Sequence, residues 1–150
     1  MKTEEYNKII SFAVEKEIES YDFYQGVCDK TADSNLKAIF RELADEEKKH
    51  RHLLEGLLSR PKDFHFNESA DYKVSETVDR PKLSLTMKPA DAIGLAMKNE
   101  EDAMRLYAEL ANASSDSEQK EMFLSLSRME QGHKTKLEDL YTNMAFPEVW

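Results

Sequence analysis

The sequence predicts an all-α protein, a four-helix bundle made of two repeated helical hairpins joined by a long crossover connection. Three observations lead to this fold class. The 150 residues include only four glycines and four prolines, fewer than the turns of a sheet protein of this length require. Apolar residues recur at helical spacing in four stretches. The second half of the chain also repeats the pattern of the first half.

The four predicted helices pair into two hairpins within one domain that spans residues 1–150. The first helix covers about residues 3–30, and the polar turn Thr31–Ser34 supplies capping residues for the second. Pro89 opens the third helix, since its fixed φ suits a first helical position, and Ser114–Ser117 caps the fourth. The predicted segments are hairpin 1 at about 3–59, the connection at about 60–88, hairpin 2 at about 89–142 and a C-terminal tail at 143–150.

An internal repeat relates the two hairpins. A shift of 83 residues, which places Ile10 on Ile93, aligns 10–57 with 93–140 without a gap. Identical residues at matched positions include, in the first hairpin, Ala13, Glu17, Tyr24, Asp33, Ser34, Lys37, Phe40, Leu43, Glu47 and His50. Two hairpins that each have an apolar face can bury both faces by packing against one another, which produces a four-helix bundle.

The length of the connection permits one particular topology. Short turns make the two helices of each hairpin antiparallel neighbours. A connection of roughly 28 residues reaches farther, at about 3.3 Å per residue, than the ~40 Å length of a 27-residue helix. It can therefore run the whole length of the bundle, which would relate the two hairpins by a two-fold axis across it.

Six polar residues lie on the predicted apolar faces of the helices. Glu47, for example, has Phe40 and Leu43 two turns and one turn before it, and Leu54 two turns after it. His50 follows Glu47 by three residues and therefore shares its face. Polar groups on an apolar stripe are unusual enough to indicate a site. The inward-facing residues are Glu17, Glu47, His50, Glu100, Glu130 and His133.

These six residues are predicted to lie at one level of the bundle. In an antiparallel hairpin, residues equidistant from the turn have the same height. The midpoint of positions 17 and 47 is residue 32, inside the first turn, and the midpoint of positions 100 and 130 is residue 115, inside the second. Each hairpin thus presents two carboxylates and one imidazole at one height, and a two-fold axis would bring both sets together.

Such a set of side chains points to a site for two metal ions. Four buried carboxylates are strongly destabilising unless protons or cations neutralise them, and two divalent cations would balance their charge. One Glu on each of two helices, with Glu-x-x-His on each of the other two, is the inward arrangement of di-iron and di-manganese bundles. Oxygen and imidazole ligands favour two iron ions, with manganese or a mixed pair as alternatives. Glu47 and Glu130 are expected to bridge the ions, whereas Glu17 and Glu100 bind one each.

The segments Glu17…Tyr24…Glu47-Lys48-Lys49-His50 and Glu100…Tyr107…Glu130-Gln131-Gly132-His133 resemble the rubrerythrin branch of the ferritin-like superfamily. The similarity covers both hairpins and all six ligand positions. It implies a ferritin-like fold, a non-haem di-iron centre, a homodimer, and chemistry that reduces peroxide or oxidises iron. Tyr24 and Tyr107 match family tyrosines that hydrogen-bond to ligand carboxylates.

Two features depart from that family. Rubrerythrins carry a rubredoxin-like domain with four cysteines, whereas this sequence has only Cys28, so a separate protein would have to donate electrons. Rubrerythrins also place a seventh glutamate one turn after the ligand of the third helix, and Ala103 occupies that position here. The resemblance therefore supports metal binding more strongly than it supports peroxidase activity.

Composition excludes several other functions. The net charge of −9 and the absence of a basic block argue against a nucleic-acid surface. One cysteine excludes an internal disulfide framework and a cysteine-based metal site. No run of about 18 apolar residues and no signal-peptide core is present, so we expect a cytoplasmic protein that does not bind membranes.

The leading hypothesis from the sequence is therefore an oxidoreductase. Hydrogen peroxide or dioxygen would be reduced at the di-iron centre, with the metal ions supplying electrons and polarising the bound oxygens. Two alternatives remain open at this point. The chain could bind ferrous iron, oxidise it and pass it on, or it could be a non-catalytic bundle whose metal is structural.

Overall fold

The computed structural model describes residues 3–58 and 88–145, which form four helices. These are α1 (Thr3–Lys30), α2 (Ser34–Leu58), α3 (Pro89–Ala113) and α4 (Ser117–Ala145). The predicted all-α class is confirmed, and α4 runs three residues beyond its predicted end. The predicted connection, apart from Lys88, and residues 146–150 of the tail lie outside the described residues. Among the helices described, none is both long and apolar enough to cross a membrane.

The helix starts follow from local capping chemistry. The Asp33 carboxylate accepts hydrogen bonds from the backbone N–H groups of Asn35 and Leu36, at 2.9 and 3.0 Å, and so caps the first turn of α2. Asp116, its equivalent in the repeat, accepts from the N–H of Gln119 at 2.8 Å at the start of α4. Pro89 occupies the first turn of α3, where its missing N–H costs nothing.

The two hairpins are antiparallel to each other along the bundle axis. α1 lies along α2, α3 lies along α4, and α1 also contacts α3. One apolar cluster joins the beginning of α1 and the end of α2 to the end of α3 and the beginning of α4. A second cluster joins the opposite ends of the same helices. α2 therefore ends at one end of the bundle while α3 begins at the other, as a long crossover connection requires.

The repeat places equivalent aromatic side chains in the two clusters. Phe40 packs edge-on against Tyr24 with ring centroids 5.6 Å apart, and Phe123 lies against Tyr107 at 6.3 Å. All four side chains are essentially inaccessible to solvent. Each buried Phe contributes about 1.5–3 kcal/mol to stability through the hydrophobic effect. The two clusters hold the middle layer of the bundle between them, and that layer is polar.

Candidate metal centre

The middle layer contains all six residues that the sequence places at the core. The four carboxylates, Glu17, Glu47, Glu100 and Glu130, are 1–2% exposed. The two imidazoles are also buried, although not equally: His50 is 3% exposed and His133 is 7% exposed. Each of the four helices supplies at least one of these residues, so the centre exists only when both hairpins are packed together.

The closest carboxylate contacts of the two imidazoles join the two hairpins. His50 Nδ1 lies 2.7 Å from Glu130 Oε1, and His133 Nδ1 lies 3.2 Å from Glu47 Oε1. Within each hairpin the imidazole is farther from the first carboxylate: His50 Nδ1 is 3.7 Å from Glu17 Oε1. The predicted common height of Glu17 and Glu47 with His50 is therefore observed, and so is the meeting of the two sets.

Two overlapping groups of side chains each have the geometry to hold one metal ion. The ligand atoms in each group all lie within 4.8 Å of one another. Glu47 and Glu130 belong to both groups, as ligands that bridge two ions would. The first group is Glu17, Glu47, His50 and Glu130, and the second is Glu47, Glu100, Glu130 and His133.

The unpaired atoms of the layer show that these residues fit a pair of cations. Eight buried ligand-type atoms have no hydrogen-bond partner among the described residues: Glu17 Oε2, Glu47 Oε1, His50 Nδ1 and Nε2, Glu100 Oε2, Glu130 Oε1 and Oε2, and His133 Nδ1. Buried polar atoms are rarely left unpaired, since each costs about 1–3 kcal/mol. The 2.7 Å contact of His50 with Glu130 lacks hydrogen-bond geometry. Two atoms that bind one metal ion at right angles, each about 2.1 Å from the ion, lie about 3 Å from each other. The 2.7 Å contact is close to that separation.

Comparison with known proteins agrees with this geometry. The family model described as Rubrerythrin matches residues 8–141. The chain belongs to the rubrerythrin family. No protein of curated function matches it significantly. Taken together, the family and the buried cluster of carboxylates and imidazoles indicate a metal site of the di-iron type.

Two solved structures share the fold. A hypothetical protein from Pyrococcus furiosus is similar at 29% identity and a TM-score of 0.75, with 93% of this chain and 89% of that chain covered. A Thermotoga maritima protein, provisionally described as a ferritin-like diiron-carboxylate protein, is similar at 20% identity and a TM-score of 0.73. That match covers 96% of this chain and 97% of the other. The ferritin-like four-helix fold is thus established.

Two carboxyl groups of this rubrerythrin-family site resist ionisation without a metal. Burial raises the pKa of Glu47 well above its ordinary value, and the neighbouring carboxylates, first among them Glu130, raise it further. Burial likewise raises the pKa of Glu130, and repulsion from Glu100 adds to the effect. The two carboxyl groups shared by both metal-binding groups therefore hold their protons more tightly than an ordinary glutamic acid does. Cations bound there would replace those protons.

Glu17 behaves differently from its neighbours. Burial disfavours its charged form, but a hydrogen bond from Glu47 and the nearby imidazole of His50 favour it more strongly. The hydroxyl of Tyr107 also donates to Glu17. As a result the pKa of Glu17 lies below its ordinary value. The pKa values of the neighbouring Glu17 and Glu47 are thus shifted in opposite directions, as expected for two carboxyl groups that titrate together.

The two buried tyrosines bind carboxylates of the opposite hairpin. Tyr24 donates a hydrogen bond to Glu100, and Tyr107 donates one to Glu17. Burial, and then the charges of the nearby carboxylates, raise the pKa of both tyrosines well above 10, so both keep their protons. The sequence identifies both tyrosines, but the pairing across hairpins depends on the register of α1 against α3.

Other polar residues near the centre have structural contacts of their own. Asn99 donates to the Ser20 hydroxyl at 2.9 Å and links α3 to α1 beside the acidic layer, a contact that no sequence signal indicated. Ala103, where rubrerythrins have a further glutamate, is partly buried against the apolar cluster. His52 lies outside the centre, with its side chain 65% exposed and 3.5 Å from Glu55.

Proposed function

We propose that this protein is a non-haem di-iron oxidoreductase that reduces hydrogen peroxide or dioxygen. The ligands would be Glu17, Glu47, His50, Glu100, Glu130 and His133. Two ferrous ions bound by these residues would supply the two electrons that, with two protons, convert one peroxide into two water molecules. Two iron ions are preferred, with manganese or a mixed pair as alternatives.

One observation carries this proposal: four carboxylates and two imidazoles meet in one buried layer and leave eight ligand-type atoms without partners among the described residues. A bundle that used these residues only for stability would pair them or expose them, because an unpaired buried carboxylate is costly. Membership in the rubrerythrin family supports the same conclusion.

The position of each residue indicates its role in metal binding. Glu47 and Glu130, which both groups share, would bridge the ions and exchange their protons for metal. Glu17 and Glu100 would each bind a single ion. Tyr107 holds Glu17 in a fixed orientation through its hydrogen bond, and Tyr24 does the same for Glu100. Orientation of a ligand by a hydrogen bond to its other atom is typical of metal sites.

The first test is an anaerobic titration of the metal-stripped protein with Fe(II). We expect saturation near two irons per chain, as in other di-iron bundles. Peroxide or air is then added, and the near-ultraviolet absorption of oxo-bridged ferric iron is followed. Faster oxidation by peroxide than by air would support the peroxidase. The matched control is Glu46→Gln, which changes the partly exposed carboxyl next to Glu47 in the sequence. Failure of the protein to bind iron stoichiometrically would refute the proposal.

Repeated turnover requires a source of electrons outside this centre. The sequence contains a single cysteine, Cys28, which is buried, and burial raises the pKa of its thiol. It is therefore unsuited to act as a thiolate redox centre. We propose that a separate electron-donor protein reduces the oxidised centre, and that the chain works as a homodimer in the cytoplasm. Sedimentation of the purified protein would test the dimer.

The second candidate function is oxidation of ferrous iron for handling or storage. The same single buried cysteine favours it, because iron that is oxidised and passed on needs no dedicated reductant. Faster oxidation by air than by peroxide, with release of ferric iron afterwards, would support this function. Stoichiometric binding without oxidation by either reagent would instead support a non-catalytic metal-binding bundle.

A further inference from the structure

The internal repeat makes the two halves of the metal centre equivalent in their ligands, but their surroundings on the protein surface differ. α2 and α4 each carry one of the two imidazoles, which stack with ring centroids 5.9 Å apart. The Lys136 ammonium of α4 contacts the Glu42 carboxylate of α2 at 2.6 Å, so a lysine side chain spans the distance between these two helix edges. Residues at helical spacing from that pair continue both edges. We call the surface they form the α2/α4 seam: Glu42, Glu46, Lys49 and Leu53 on α2, with Ser125, Met129, Gly132 and Lys136 on α4.

No position of the seam has the same residue in both halves. Lys49, which precedes His50, corresponds by the 83-residue shift to Gly132, which precedes His133. Lys136 likewise corresponds to Leu53. The two imidazoles have the same ligand-type neighbours, yet His50 comes directly after a residue with a long side chain, whereas His133 comes directly after a glycine.

Gly132 is exposed on the surface of α4 next to His133. Apart from its chain neighbours and the backbone of its own helix, no described heavy atom lies within 4 Å of a Cβ atom placed at this glycine. His133 is also the most exposed of the six residues, at 7%, against 3% for its equivalent His50. On the opposite side of the bundle, between α1 and α3, the fully buried Tyr24 and Tyr107 cover the carboxylates. Of the six residues, His133 is therefore the one that solvent reaches most easily, and the residue before it has no side chain to cover it.

The charges at this point suit a cation. Glu42 and Glu46 are carboxylates on the α2 side of the seam, and Glu42 contacts Lys136, which lies one turn after His133 on α4. Their partners, Lys136 and Lys49, lie on the surface with 51% and 73% of their side chains exposed. Exposed pairs of this kind hold together weakly, at about 0–1 kcal/mol, so their carboxylates can exchange partners. The corresponding part of the His50 half has Ser125 in place of Glu42 and Leu53 in place of Lys136.

We infer that metal ions enter and leave the centre through the seam at Gly132, beside His133, so that the two halves differ in kinetics although their ligands are the same. The inference rests on the proposed metal centre but concerns only the route. An entrance lowers the barrier for uptake and release equally. A side chain that closes it should therefore slow both rates by one factor and leave the dissociation constant unchanged.

The test uses Co(II) and the metal-stripped full chain in anaerobic buffer, with no peroxide present. Uptake is followed by the visible absorption of bound Co(II), and release is followed after addition of excess chelator. Gly132→Leu should slow both by about tenfold, as closure of a gate does. Gly132→Ala is the control, since it improves helix propensity without reaching across the seam.

Each outcome decides one point. Equal slowing of uptake and release in Gly132→Leu, with an unchanged dissociation constant and with Gly132→Ala like wild type, would support the entrance. Unchanged rates in Gly132→Leu would overturn it while leaving the metal centre intact. A weaker dissociation constant would show that the leucine distorts the ligands, which also contradicts a purely kinetic role. If the wild-type protein binds no Co(II), the proposed metal centre itself is wrong and the entrance fails with it.

Discussion

His50 and His133 lie side by side at the centre of the bundle, with ring centroids 5.9 Å apart and ring planes 14° apart. One imidazole comes from each hairpin, and the Nδ1 atom of each is closest to a carboxylate of the other hairpin. Neither hairpin alone can therefore reproduce the centre. The pseudo-two-fold relation also assigns one imidazole to each of the two groups that can hold an ion.

Removal of one imidazole should remove one ion. His133→Ala leaves Glu47, Glu100 and Glu130 in its group, without the nitrogen ligand. We expect Fe(II) binding to fall from about two to about one per chain, since di-iron bundles use one histidine for each ion. An anaerobic titration measures this. The control is His52→Ala, because the His52 side chain is 65% exposed and lies outside the centre. Unchanged stoichiometry in His133→Ala would contradict the ligand assignment.

Removal of a tyrosine hydroxyl should destabilise the protein without bound metal. Tyr107→Phe deletes the donor to Glu17, whose pKa is below its ordinary value, and leaves a buried carboxylate short of a partner. We expect a loss of about 1–3 kcal/mol in the free energy of unfolding, measured by urea denaturation of the metal-free protein. Tyr141→Phe, on the surface at the far end of α4, should have almost no effect. Equal losses in both variants would argue against the buried bond.

Most of the centre is predictable from sequence because a straight helix and a short turn leave few choices. Once Thr31–Ser34 fixes the turn, Glu17 and Glu47 must lie at one height, and the repeat extends the argument to Glu100 and Glu130. The apolar neighbours of Glu47 then decide which way it points. These steps use only the 3.6-residue period and the length of a turn.

What the sequence could not supply is the register between hairpins. Tyr24 binds Glu100 and not Glu17, although Glu17 is on its own helix, and this choice depends on how α1 and α3 slide against each other. The Glu42–Lys136 contact between α2 and α4 has the same origin. Register between helices is set by the packing of whole faces, and no local pattern in either helix records it.

The metal-free protein should lose stability as the pH rises above about 4.5. Glu47 and Glu130 have pKa values raised well above their ordinary range in the folded state, so the folded protein binds more protons than the unfolded chain. Stability from these groups is complete below their unfolded pKa, near 4.3, and is lost as the pH rises through their folded pKa.

Melting temperatures of the metal-free protein at pH 5 and pH 8 would test this dependence. We expect a lower value at pH 8, and a larger increase on addition of Mn(II) at pH 8 than at pH 5, because bound metal displaces the protons. Glu17, whose pKa is lowered, acts in the opposite direction but only below its unfolded pKa. A melting temperature that rises between pH 5 and pH 8 without metal would contradict the assignment of protons to Glu47 and Glu130.

Replacement of a bridging carboxyl should stabilise the empty centre while it weakens metal binding. Glu47→Gln keeps the shape of the side chain but removes a group whose ionisation burial and three neighbouring carboxylates oppose. At pH 8 we expect the metal-free variant to melt several degrees above wild type, since ~1 kcal/mol corresponds to about 2–8 °C in domains of this size range. It should also bind Fe(II) more weakly. Glu46→Gln, whose carboxyl is partly exposed and paired with Lys49, should change neither property. Replacement of a residue that serves the structure lowers the melting temperature of the metal-free protein, whereas replacement of one that serves to bind a cation raises it. The sign of the change in melting temperature in Glu47→Gln therefore separates the two roles.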